Sequence, residues 1–216
     1  MQIPARFRTV KGYGETEIII QKSRFISYVE RVDKEEEAIG FIQGIAKKHW
    51  DATHNCYAYI VRDPQEIQRS SDDGEPAGTA GRPILEVLKK RQLCNTAVVV
   101  TRYFGGIKLG AGGLVRAYGQ GASAGLDTAG EYEWIPHHRV LITVNYHAMG
   151  KVEHQLHQTG YEMESPQFTD RVQWTLWVPV GEETSLQQMV SEQTSGQGMF
   201  NLKEIQYRPR ESGNEE

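Results

Sequence analysis

Cysteine is scarce in this chain. Two in 216 residues, Cys56 and Cys94, are too few for the disulfide framework that staples small extracellular domains. Long apolar runs are missing as well: the longest, such as residues 97–100, are about four residues, against the roughly 20 needed to span a bilayer. No membrane partner is therefore expected. The opening segment MQIPARFRTVKGYGETE has no apolar core and no small-residue cleavage pattern, so the expected location is cytoplasmic. A dominant charge sign is lacking too: 24 basic and 28 acidic residues give a net charge of −4, which argues against a protein that coats nucleic acid indiscriminately. What is present is globular. An apolar set of 38% together with 22 glycines excludes disorder, and the length suits two small domains or one large one.

Two halves differ in pattern. The first reads as strands over 16–21 and 24–32, then a helix opened by Asp33 and Glu36 as a capping-box-like pair, with Ala38, Ile42, Ile45 and Ala46 as its apolar stripe. A strand over 52–62, a long loop over 64–83 and a short helix over 84–91 follow. An apolar strand over 96–103, a glycine loop over 105–113 and a small-residue helix over 111–129 complete this half. After Ile135-Pro136 come a strand (139–147), a helix ended by Gly160, strands over 161–168 and 171–180, a helix through Leu186 and Val190, and a strand over 199–207. That order, βαββαβ, is the ferredoxin-like split pattern. The expected division is 1–134 and 135–208, with 209–216 as a disordered tail.

Nine of the 22 glycines lie between Gly105 and Gly130. In TRYFGGIKLGAGGLVR (101–116) a strand feeds a glycine turn and then a helix, which exposes backbone N–H groups where an anion is favoured. Lys108 and Arg116 add phosphate donors. The candidate phosphate set is Arg82, Arg102, Tyr103, Gly105, Gly106, Lys108, Gly110, Gly112, Gly113 and Arg116. Neither a Walker A loop nor a dinucleotide fingerprint fits, since Ala111 and Gly112 stand where Lys and Ser/Thr are needed and Val115 where glycine is needed. The competing reading is that the glycines serve tight helix–sheet packing and positive-φ turns.

Residues 70–83, SSDDGEPAGTAGRP, form a second unusual segment, and Asp72, Asp73, Gly74, Glu75 and Gly78 are its candidate functional residues. Its acids could hold a hard cation, but the spacing is not that of an EF-hand loop, and no metal or cofactor is expected. His54 and Cys56 share a strand face and could pair, without an orienting third group; no catalytic residue is assigned.

DDGEPAGTAGRP, VVVTRYFGGIKLGAGGLVRAYG and THNCYAY resemble the signature segments of the IMPACT family, in the layout of its bacterial members. The resemblance implies an α+β protein: a ribosomal-protein-S5-domain-2-like domain with two main helices on one face, then the ferredoxin-like domain. The pair is similar to the last two domains of elongation factor G. Eukaryotic relatives are linked to control of translation initiation through protein partners of a stress-kinase pathway. Their partner-binding RWD module is absent here, so that mechanism does not carry over, and the family supplies no catalytic residues.

Local charge points to the first half. Residues 1–134 sum to +1 and 135–216 to −5, while 82–126 hold seven cations (Arg82, Lys89, Lys90, Arg91, Arg102, Lys108, Arg116) and one acid, Glu86. The leading expectation is a non-enzymatic RNA- or ribosome-associated regulator of translation, contacting phosphates through a basic, glycine-rich face. Two alternatives stay open. An enzyme binding a phosphorylated small molecule or nucleotide would show a concave pocket where the glycine loop meets Asp72–Glu75. A protein-interaction module would show an exposed apolar patch.

Overall fold

The computed structural model describes residues 6–62 and 65–211. By contacts they divide into two units, one of residues 7–133 and one of residues 134–210 with Arg6. The first holds β1 (Phe7–Val10), β2 (Gly14–Ile20), β3 (Ser23–Arg31), α1 (Glu35–Lys48), β4 (His54–Arg62), β5 (Glu66–Ser71), α2 (Gly81–Lys90), β6 (Thr96–Tyr103) and α3 (Gly110–Ala129).

Its sheet runs β2-β3-β6-β4-β5, antiparallel throughout. β6 is central because TAVVVTRY is β-branched and apolar enough to be buried on both faces. On one face, Phe25, Val29, Cys56, Val98 and Val100 pack with Ile84 and Leu88 of α2 and Leu114, Tyr118 and Leu126 of α3. α3 lies close because Gly125 has no side chain: a Cβ there would stand 3.0 Å from Ser27 Cβ and Val29 Cγ2. On the other face, Ala38 and Ile45 of α1 meet Tyr28, Tyr59 and Val99.

Two local readings change. The expected loop over 64–83 contains β5, whose polar EIQRSS suits an edge strand that, among the described residues, pairs with β4 alone. α1 begins at Glu35 with Lys34 at its N-cap. There the reciprocal bond comes from Glu37, which accepts the Asp33 N–H at 2.8 Å.

The second unit holds the rest of β7 (Glu131–Val144), α4 (Tyr146–Thr159), β8 (Glu162–Met163), β9 (Gln167–Phe168), β10 (Val172–Pro179), α5 (Glu183–Gln193) and β11 (Met199–Glu211). β8 and β9 are pieces of the one strand expected over 161–168. The sheet order β11-β7-β10-β8 is the ferredoxin-like arrangement. Asn145 caps α4 by accepting the Ala148 N–H at 3.0 Å, and Gly160 ends it at φ +70°. β11 outruns its expected end at 207. Arg208 pairs with Glu162 and lies 4.5 Å over the Trp177 ring, so 209–211 are strand rather than tail; 212–216 lie outside the described residues. No helix among the described residues is long and apolar enough to cross a membrane.

Candidate functional site

Pairing of β4 with β6 sets His54 opposite Arg102 and Cys56 opposite Val100, so these side chains share the face covered by α2 and α3. Tyr103, one residue on, faces α1. Its hydroxyl donates to Asp51 Oδ1 at 3.0 Å and lies 2.9 Å from His49 Nδ1. The period of two thus separates Tyr103 from the other candidate phosphate residues.

Residues 72–80 fold back over the start of β4. Asp72 anchors them: Oδ1 accepts the N–H groups of Ala80 (3.0 Å) and Gly81 (2.8 Å) and Oδ2 that of Gly78 (2.8 Å). Asp72 therefore caps α2 from outside the helix. Burial opposes its ionisation, but the N–H donors of Gly78, Gly81 and Ala80 prevail and hold its pKa below the ordinary aspartate value. Asp72→Ala is expected to cost about 1–2 kcal/mol, as cap losses do. Because the folded pKa is depressed, that stability is present above the unfolded value near pH 3.9 and fades as pH falls through the folded one. Denaturant melts of the two proteins should accordingly converge in acid; a gap constant with pH would refute the charge-based cap.

Asp73, at φ +42°, accepts the Asn55 N–H on Oδ2 at 2.5 Å. Its carbonyl lies 2.7 Å from His54 Nδ1, and a carbonyl only accepts, so Nδ1 carries a proton. The Cys56 thiol donates to the Asp72 carbonyl at 3.0 Å, and burial pushes its pKa up to about 12. His54 and Cys56 each engage the loop rather than one another, and the thiol is held protonated.

Glu75 turns inward. Its side chain is 4% exposed and accepts on Oε1 from Arg102 Nη1 (2.6 Å) and from the Tyr118 hydroxyl (2.8 Å). Arg102, 5% exposed, is flanked by the Phe25 and Phe104 rings, each 5.5 Å from its guanidinium carbon. Arg102 is thus a neutralised interior cation and not a surface phosphate contact. Tyr118 is the functional-site residue that reading the sequence misses: it sits on α3, and nothing local links it to Glu75. The three loop acids serve separate partners and do not converge on one ion.

Gly105 lies against the β2–β3 turn, and Gly106 (φ +85°) and Gly110 (φ +71°) take left-handed conformations. They deliver the chain into α3, whose N-cap Leu109 gives no side-chain bond and whose first turn holds no acid. Lys108 is exposed and has no ion pair among the described residues. Exposed Arg116 folds back, its Nη1 3.9 Å from where a Cβ on Gly112 would be. A cation over a helix N-terminus stands against the macrodipole and leaves that end strongly positive. A Cβ on Gly113 would be tighter, 3.0 Å from Leu109 Cβ. Arg82, exposed on α2, borders a separate groove with Gly78, Glu86, Val115 and Gly119. Of the other cations in 82–126, Arg91 binds Asp127 and Glu131, and Lys89 meets Glu86.

A cavity of about 400 Å³ joins the two segments, walled by Thr53, His54, Glu75, Pro76, Arg102, Phe104, Lys108, Leu109, Gly110, Ala111 and Leu114. A larger one, about 780 Å³, lies in the second unit around Trp177, Tyr161 and Arg208.

The model of the Impact N-terminal domain matches residues 21–126, and that of a domain of unknown function, DUF1949, matches 142–197. The chain is 46% identical to the IMPACT family member YvyE of Bacillus subtilis, covering 92% of both. It is 40% identical to the IMPACT family member YigZ of Escherichia coli over 64% of this chain and 69% of that one. A crystal structure of a hypothetical protein superposes with a TM-score of 0.59 at 29% identity, covering 94% of this chain and 99% of that one.

Proposed function

The chain belongs to the IMPACT family, and from that premise we propose that it is a non-enzymatic, cytoplasmic regulator of translation that attaches to RNA or the ribosome through the start of α3. One observation carries this reading: the first turn of α3 has no side-chain cap and no acid, yet Arg116 lies over it and Lys108 precedes it. Uncapped N–H groups and, near the same helix end, two cations without an ion pair among the described residues favour a phosphate oxygen. Gly112 has only the tip of the flexible Arg116 side chain near it, 3.9 Å from where a Cβ would be, so a strand's backbone can approach closely. Contacts of this kind go to the sugar-phosphate backbone, so binding should be salt-sensitive and weakly sequence-dependent.

Ribosomes and polysomes sedimented from lysate over a salt series provide the test. The protein should travel with them at low salt and leave as salt rises. Retention at the top of the gradient at every salt, with no binding of purified RNA, would exclude the reading. Replacing Lys108 and Arg116 together by alanine should reduce the slope of log affinity against log salt by about 1–2, since each phosphate contact on single strands contributes roughly 0.7. An unchanged slope would remove these two residues from the interface.

A further inference from the structure

The cavity beneath the α3 N-terminus holds a feature that phosphate binding does not use. Glu75 is almost wholly buried, and its Oε1 is filled by Arg102 and Tyr118. Its Oε2 accepts no hydrogen bond from any described residue, and His54 Nε2 lies 3.8 Å away. Because His54 Nδ1–H is given to the Asp73 carbonyl, a neutral ring presents a lone pair at Nε2. In that form Nε2 and Oε2 stand 3.8 Å apart in a cavity wall, wide enough for one nitrogen to lie within hydrogen-bond distance of both. Both acceptors border the open cavity, and an N–H-bearing ligand group placed between them satisfies both.

The remaining walls describe the rest of that ligand. Gly110 and Ala111 bring the positive end of α3 to the same cavity, and Pro76, Phe104, Leu109 and Leu114 supply apolar surface. Phe104 is 48% exposed, an accessible ring on which a planar group can stack. The volume falls within the ~300–1,000 Å³ of small-molecule sites. Arg102 gives the cavity little free charge, since Glu75 neutralises it. We propose that this cavity takes the amino-bearing base of one nucleotide, with the exocyclic –NH2 between Glu75 Oε2 and His54 Nε2 and the phosphate at the start of α3. The inference rests on the phosphate reading above and adds base selectivity to it. Carboxylates that accept from the cytosine amino group are an established mode of base readout.

CMP and UMP make a matched pair, because the cytosine amino group becomes a carbonyl oxygen in uracil. Titration calorimetry on the full chain, with CMP, UMP, cytidine and inorganic phosphate, should show CMP binding at least tenfold tighter than UMP and tighter than either cytidine or phosphate. Oligo(C) and oligo(U) tetramers form the second arm. A preference for C confined to the tetramers assigns the site to a strand, and the same preference with free CMP assigns it to a free nucleotide; both support the pocket. Equal binding of C and U forms, with phosphate-dependent affinity kept, overturns the pocket and leaves the phosphate reading intact. No binding of phosphate, nucleotide or tetramer overturns both. Glu75→Gln, which puts a donor where Oε2 accepts, should abolish or reverse the preference for C. If that variant fails to fold, the wild-type comparison decides alone.

Discussion

Arg102→Met is expected to lower the thermal midpoint of the first unit by about 10–20 °C, the largest single-residue effect at the site. Removing one partner of a buried ion pair costs about 3–5 kcal/mol, because the other charge stays buried and uncompensated. In domains of this size each kcal/mol shifts the midpoint by about 3–5 °C. Arg102 is 5% exposed, and its guanidinium sits between the rings of Phe25 and Phe104. Without it Glu75 keeps the Tyr118 hydroxyl alone as a close donor. Methionine fills most of the stem volume, which isolates the charge from the packing. Adding Glu75→Gln to Arg102→Met should recover much of the loss, since the uncompensated charge is then gone and the two positions are coupled through direct contact. Calorimetry on the three variants measures this. A single-variant loss below about 1 kcal/mol, the range of a surface pair, would show that Glu75–Arg102 is not the buried linchpin described here.

The same pair shows how far the sequence can be read. β6 is legible at both ends because a continuous β-branched run has few alternatives to a central strand. α3 and α4 are legible through their flanking glycines, and Gly160 is the clearest of these. β5 is invisible, since an exposed edge strand carries no apolar alternation. Charge counted along the chain misleads for a related reason. Arg91 and Arg102 read as surface cations because their partners, Asp127, Glu131 and Glu75, lie outside the counted window and arrive only through the fold. Glu75 looks like one more acid of a polar loop. Its inward turn depends on Asp72 gathering three backbone N–H groups, and on a tyrosine 43 residues away. Strand parity is the signal that the sequence does carry: within one strand Arg102 and Tyr103 must face opposite sides.

The glycines of 105–113 looked equivalent in sequence, and the structure separates them into two kinds with opposite expected behaviour. A Cβ on Gly105 would stand 2.0 Å from the carbonyl carbon of Lys22 and 2.5 Å from the Ser23 nitrogen. Those backbone atoms belong to a tight β2–β3 turn, in which Gln21 and Lys22 already have positive φ, so the obstacle cannot rotate away as a side chain would. Overpacking typically costs 1–3 kcal/mol, and backbone meeting backbone puts Gly105→Ala at about 3 kcal/mol or more. Gly112 has only Arg116 Nη1 near it, at 3.9 Å, and helical backbone, so Gly112→Ala should stabilise α3 by about 0.5–1 kcal/mol. Its methyl, however, occupies the surface that a phosphate oxygen must approach, and RNA affinity should fall as stability rises. Melting curves and salt-titrated RNA binding on both variants separate the two roles. Gly105→Ala should melt lower, with RNA affinity following the folded fraction. Gly112→Ala should melt higher and bind more weakly. A Gly112→Ala protein that binds RNA as tightly as the wild type would show that the open glycine serves no ligand, and would leave packing as the account of this glycine-rich segment.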